Sequence, residues 1–334
     1  MSNQTYDYVT TQVDTCQPLD DLSPTGKARP WVEHRREADL LAYVYDDVDE
    51  RKAVRLRSCA PRLTFELKEG GGLRLHNAWF CRVRLCPVCQ WRRALKVYGQ
   101  TTQIIDAANA SRPAGYGWVM LTLTVRNVDG IDLANELDLL GQAWHRLIKT
   151  QAWTSRVKGW MRATEVTHNL VLGSAQYDTY HPHYHCLLQV LPSYFTSRQY
   201  LSKAAWAAMW QDAARLDYKP QVWVSKVKGS SAAALAEIAK YAAKPSDYII
   251  PEDLTLSADT ISILDSALSH RRLVAWGGDL KAIKARLRLD DTEEGDLIHT
   301  GNETAEAEAA KALVAYSWIP GYRQYFKERV PSGI

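Results

Sequence analysis

His183 and His185 stand two apart in HPHYHCLLQV, a run whose apolar alternation predicts a strand over His183–Val190. Both imidazoles then project from one side of the strand, while Tyr184 and Cys186 project from the other. Two imidazoles so placed can share one divalent cation. Taken alone, an H-x-H pair more often marks two hydrogen-bonded histidines on a half-buried strand. The upstream run RATEVTHN changes that balance, because as a strand it carries Glu165 and Thr167 on one face and His168 on the other. Pairing the two strands would bring Glu165 to the same ion. A carboxylate and two imidazoles leave positions free on a six-coordinate metal, as a Lewis acid for a phosphate oxygen requires. A surface carboxylate paired with Arg162 is the plainer alternative for Glu165. His181 is a rival third ligand, but Pro182 is expected to begin the strand and turn His181 away, which favours Glu165.

A second constellation lies in EIAKYAAK, on a predicted helix over Ala232–Ala243. Glu237, Tyr241 and Lys244 fall at i, i+4 and i+7 and share one face, with Lys240 flanking it. A phenol can attack a phosphodiester and become covalently attached, and lysines can steady the charged phosphate. In isolation the same stretch reads as an amphipathic helix with a tyrosine at its edge.

The third cluster is Cys81-x4-Cys86-x2-Cys89, three thiols at zinc-like spacing that need a fourth ligand to close a structural site. Cys59 is the first choice and His76 the alternative; Cys16 and Cys186 fall in other parts of the chain. Arg82, Arg84, Arg92 and Arg93 surround the cluster and could seat a phosphate backbone, or could simply be solvated. Residues 51–100 hold 12 Lys/Arg against 2 Asp/Glu, whereas residues 1–50 hold 4 against 11. The net charge of +3 hides this asymmetry. From Asp290 to Glu308 there are 8 acidic residues and no Lys or Arg, which predicts a solvated, flexible segment.

The elements that must position these groups follow from switches in apolar periodicity between Gly117 and Lys244. Strands are expected at Trp118–Arg126, Gly159–Asn169, His183–Val190 and Gln221–Val227. Helices are expected at Leu133–Trp153 and Ser197–Leu216, with Ala232–Ala243 following the last strand. The order β-α-β-β-α-β plus a helix is the ferredoxin-like split unit, an antiparallel sheet with helices on one face and the other free for a site. Four regions are expected: residues 1–50, an acidic, loosely ordered arm with a short helix near Val32–Tyr43; 51–112, a basic zinc-binding module and helix; 113–250, the catalytic domain; and 251–334, a C-terminal helical region. The fold class is α+β. Six cysteines in 334 residues are too few for a disulfide scaffold, and neither a basic, apolar leader nor a run of about 20 apolar residues is present. A cytoplasmic protein with no membrane association is expected.

Taken in order, LTLTVRN, TEVTHN with HPHYHCLLQV, EIAKYAAK, and the earlier CRVRLCPVCQWRRA together resemble the rolling-circle plasmid replication initiators of the HUH endonuclease superfamily, one-tyrosine type. The likeness spans about residues 55–250. It implies that His183 and His185 bind a catalytic Mg²⁺ or Mn²⁺, with Glu165 as the less firmly fixed third ligand. Tyr241 would be the nucleophile that becomes joined to the 5′ phosphate of the nicked strand, and Glu237 the acid that ends the cycle by activating water. The implied substrate is single-stranded or hairpin-extruded plasmid origin DNA. A host helicase is the implied partner, and a homodimer is allowed. Zn²⁺ would be structural. The competing readings are a non-enzymatic zinc-module DNA-binding regulator, a metal-dependent phosphodiesterase that uses water, and a relaxase or transposase of the same superfamily.

Overall fold

Strand β4 (Gly117–Thr124) is apolar on both faces over Trp118–Leu121 and alternates Thr with Leu beyond them, as a central strand of a sheet covered on both sides would. A computed structural model describes residues 13–23, 26–68, 72–227, 243–300 and 312–329. Within them, β4 pairs antiparallel with β6 (Thr179–Val190) on one side and with β7 (Val222–Val227) on the other. Strand β5 (Val157–Asn169) pairs with β6, and the short β8 (Val274–Gly277) adds an edge, giving the order β7-β4-β6-β5-β8. Helices α4 (Leu133–Leu147) and α6 (Lys203–Ala214) interrupt the strands where the split unit requires them. The expected topology is therefore the observed one, and the α+β class holds. Leu133–Trp153 is two helices rather than one: Thr150 accepts from the Trp153 amide and caps a separate turn, α5 (Gln151–Thr154).

One face of this sheet is dry and aromatic. Val119, Leu121, Tyr184, Cys186 and Leu188 pack on Leu140, Trp144, Trp206 and Trp210 of α4 and α6. The opposite face was expected to be free and is not. Trp118, Met120, Met161 and Leu187 are covered by Val97, Ile104 and Ile105 of α3 (Pro87–Ala110) and by Leu280 and Ile283 of α8 (Gly278–Arg286). Two glycines allow α8 to come that close. A Cβ on Gly277 would sit 2.1 Å from the Trp160 ring, and one on Gly278, whose φ is +56°, would sit 2.2 Å from the Lys158 carbonyl oxygen.

The second sheet, ordered β1-β10-β9-β2-β3, joins the two ends of the chain: β1 (Val13–Pro18) and β2 (Arg62–Leu67) come from the N-terminal part, β9 (Leu313–Ile319) and β10 (Gln324–Glu328) from the C-terminal part. Strand β3 (Leu73–Ala78) closes it. Residues 13–23 and 26–50 are thus not a loose arm. Helix α1 (Trp31–Val48) places Trp31, Leu41 and Tyr45 in a core with Phe65, Trp91, Tyr325, and Ile261 and Leu264 of α7 (Leu254–Leu268). The region after residue 250 is likewise not merely helical, since it supplies strands to both sheets. No helix among the described residues is long and apolar enough to cross a membrane.

The acidic stretch also departs from expectation. Over residues 290–300 it is docked along α3: Lys96 pairs with Asp290, Gln100 donates to the Asp290 carboxylate at 2.9 Å, and Thr292 donates to Gln100 at 2.8 Å. Glu293 is 8% exposed and accepts the amides of Leu273 and Val274 at 2.7 and 2.9 Å. Glu293 is thus buried against β8 and Asp290 is tied to α3, while Asp291 and Asp296 pair at the surface with Arg272 and His299. Residues 301–308 of the stretch lie outside the described residues.

Candidate active site

The β5–β6 register sets Glu165 directly across from His183, and the β4–β6 register sets Thr122 across from His185. Side chains of opposed residues share a face, so Glu165, His183 and His185 converge. Glu165 Oε2 lies 2.9 Å from His185 Nε2 and 3.5 Å from His183 Nε2, and the two Nε2 atoms are 3.2 Å apart. Adjacent ligands of an octahedral ion with bonds near 2.1 Å are separated by about 3 Å, so the three atoms fit one face of such an ion. All three residues are buried. Burial would raise the Glu165 carboxyl, but hydrogen bonding to His183 and His185 outweighs it and holds the group well below the usual carboxylate range.

The outer ring nitrogens are also occupied. His183 Nδ1 donates to the His181 carbonyl oxygen at 3.0 Å, so in a neutral ring Nε2 is the nitrogen that would bind an ion. His185 Nδ1 lies 3.3 Å from Thr122 Oγ1, a partner missed in the sequence although the alternation of LTLT already puts Thr122 on that face. His181 itself stays out of the cluster and stacks on His183, with ring centroids 5.1 Å apart. Burial and the neighbouring His183 push its pKa down. Pro182 does not begin the strand: β6 starts at Thr179, and Pro182 pairs with Val166 where β4 has already ended, so its missing N–H interrupts no ladder on that side.

Lys244 brings the end of the EIAKYAAK run to the same place, its Nζ 3.9 Å from Glu165 Oε1. Glu237, Lys240 and Tyr241 lie outside the described residues, as does the helix expected over Ala232–Ala243. Tyr248, the nearest alternative nucleophile in sequence, is fully buried; it donates to the Leu85 carbonyl at 2.6 Å and accepts from Gln90 at 2.9 Å. It is a strut of the core.

The four thiols expected together are together. Cys59, Cys81, Cys86 and Cys89 are buried and unoxidised, with Sγ atoms 3.7 Å apart for Cys59–Cys89 and Cys81–Cys89 and 3.5 Å for Cys59–Cys86. A tetrahedral site with Zn–S bonds near 2.3 Å has edges of about 3.8 Å, close to these three separations. Arg82 adopts a φ of +58°, and its amide donates to Cys89 Sγ at 3.3 Å. His76 instead pairs with Glu66 on the surface of β3, away from the thiols.

The arginines around the cluster point inward. Arg92 is 1% exposed and donates to the carbonyls of Leu297 and Ile298 at 2.8 and 2.6 Å. Arg82 donates to the carbonyls of Glu294 and Gly295, Arg84 pairs with Glu293 at 2.7 Å, and Arg93 donates to the Glu293 carbonyl at 3.3 Å. Arg92 and Arg93 thus fasten residues 293–298 to α3, and Arg82 and Arg84 fasten them to the segment that precedes it. All four guanidinium groups make contacts within the chain.

A ferredoxin-like sheet bearing a Glu–His–His cluster, together with a cluster of four buried cysteines, defines an α+β protein with two groups of side chains that could each hold a metal ion. Comparison with known proteins narrows the class. The Rep_1 family, described as Replication protein, matches residues 72–326. A Protein rep of Bacillus amyloliquefaciens is 38% identical over 335 residues, covering 92% of this chain and 96% of the relative. A Protein rep of Lactiplantibacillus plantarum is 38% identical over 320 residues, covering 92% and 98%, and a Replication protein of Staphylococcus aureus is 37% identical over 230 residues, covering 66% and 95%. No solved structure matches the chain. The chain belongs to the Rep family of replication proteins, the family that its ordered motifs resemble.

Proposed function

We propose that this replication protein starts rolling-circle synthesis by nicking one strand of its plasmid's origin and holding the 5′ end on Tyr241. One observation carries the reading: the ligand atoms of Glu165, His183 and His185 meet at a point beside Lys244 Nζ. Tyr241 is three residues before Lys244, so chain length alone keeps their Cα atoms within about 11 Å. The phenol oxygen attacks the phosphorus, the bond to the 3′ oxygen breaks, and a phosphotyrosine ester replaces the phosphodiester. Because one ester is exchanged for another, the 3′ hydroxyl can later reverse the step without ATP. The phenol, with a reference pKa near ~10, must lose its proton during attack.

A Mg²⁺ or Mn²⁺ ion bound by Glu165, His183 and His185 would polarise the scissile phosphate. Lys244 and Lys240 steady the phosphate charge, and Glu237, one helical turn before Tyr241, takes a proton from water when the regenerated origin is cut for release. The Cys59–Cys81–Cys86–Cys89 set takes zinc as a structural staple. Attack in line needs an unpaired strand, so the substrate is single-stranded or extruded origin DNA, and a host helicase is the partner that would extend the opening. The test is metal-dependent cleavage of an origin oligonucleotide by wild type, His183→Ala and His185→Ala. Loss of cleavage in both variants, matched by chelation of the wild type, supports the reading; full cleavage by either at limiting Mn²⁺ refutes the assigned face.

A further inference from the structure

Of the twelve tryptophans, only Trp79 and Trp223 are exposed, at 51% and 68%. Trp223 lies on β7, the edge strand, where it is registered against Thr122 of β4, which is in turn registered against His185 of β6. Opposed residues share a face, so Trp223 stands on the same face as the Glu165–His183–His185 cluster, two strand spacings or about 10 Å from His185. Its neighbours Val222 and Val224 pack into the opposite, helix-covered core, which fixes the alternation. An indole left 68% exposed buries little for folding, so packing accounts for little of its presence there. Lys203, the first residue of α6, reaches round the sheet edge and sets its Nζ 5.3 Å from the Trp223 ring centroid. An aromatic face with an ammonium beside it matches one nucleotide of a single strand, whose base stacks on the ring while its phosphate meets the cation.

We propose that Trp223 is a base-stacking platform, with Lys203 as its phosphate contact, that holds the single strand one or two nucleotides from the phosphate at the metal cluster. This deepens the nickase reading and rests on it. Every base has a π face, so the platform adds affinity and position without reading sequence. Trp223 would be a positioning residue for cleavage, not a catalytic one.

The test uses the full chain in chelator, so that no cutting occurs, with two fluorescein-labelled probes of about 12 nucleotides. One is single-stranded oligothymidine; the other has the same backbone with abasic sites throughout. The wild type should prefer the thymidine probe by about 10-fold, the effect of stacking one base. Trp223→Ala should lose that preference while binding the abasic probe as the wild type does, Trp223→Phe should keep most of it, and Lys203→Ala should weaken both probes alike. An undiminished preference in Trp223→Ala overturns the proposal. So does a change from dimer to monomer in sedimentation with base preference intact, which would make the indole a contact between copies of the chain. The nickase reading is scored separately, by covalent adduct formation with Mn²⁺, so that a chain which forms the adduct but lacks the Trp223 effect rejects only the platform.

Discussion

Glu165 Oε2 stands 2.9 Å from His185 Nε2 although the two residues are 20 positions apart and on different strands. The contact exists because the β5–β6 register places Glu165 opposite His183 and only the small Ala163 opposite His185. Glu165→Ala should therefore weaken Mn²⁺ binding by about 100-fold, since two imidazoles cannot define the geometry of a hard cation. Thr122→Val, which removes only the partner of the His185 outer nitrogen, should cost about 10-fold. Calorimetric titration with Mn²⁺ checks both. Unchanged affinity in Glu165→Ala would return the third position to another group.

Cys86→Ser or Cys89→Ser should lower the melting temperature and release zinc, because a closed four-thiolate site contributes folding free energy directly. Elemental analysis of the wild type should find about one zinc per chain. A fully folded preparation without zinc would show that the four thiols are only a buried cluster.

Arg92→Ala should destabilise the chain by about 2–4 kcal/mol, because it leaves the carbonyls of Leu297 and Ile298 without their buried donor. Denaturant unfolding measures this. Were Arg92 a DNA contact, the variant would instead fold normally and show a shallower salt dependence of binding.

Glu237→Ala should nick normally and fail to terminate. A replication assay on a template with two origins should then yield multimeric products in place of monomeric circles. Monomeric circles at the wild-type level would reduce Glu237 to a helical neighbour of Lys240, worth a few tenths of a kcal/mol.

What could be read from the sequence was whatever local periodicity and short spacing control. The two-residue period of HPHYHCLLQV fixes which side His183 and His185 share, and the split-unit order fixes that β5 and β6 are neighbours. Cys59 joins Cys81, Cys86 and Cys89 because α2 (Glu50–Arg57) ends just before it and the chain returns along β3 to the other three. Long-range pairing was not legible. Nothing in VDTCQP announces that Val13 pairs with Glu328, so the N-terminal segment read as loose when it is a sheet strand followed by a core helix. The charges misled for a related reason: a run of acids and a run of arginines each look solvated or ligand-binding until they are found to satisfy one another, as Arg84 and Glu293 do. Trp223 gave no signal, because exposure at an edge strand depends on what the rest of the chain leaves uncovered.

Whether Tyr241 carries the DNA is decided by mass spectrometry of the trapped species. The chain is incubated with a single-stranded origin oligonucleotide and Mn²⁺, denatured and digested, and the nucleotide-bearing peptide is sequenced. A 5′-phosphate ester is expected on Tyr241, absent from Tyr241→Phe and present in Tyr248→Phe, since the Tyr248 hydroxyl is buried against Leu85 and Gln90. Cleavage without any adduct, or an adduct that survives in Tyr241→Phe, would contradict it.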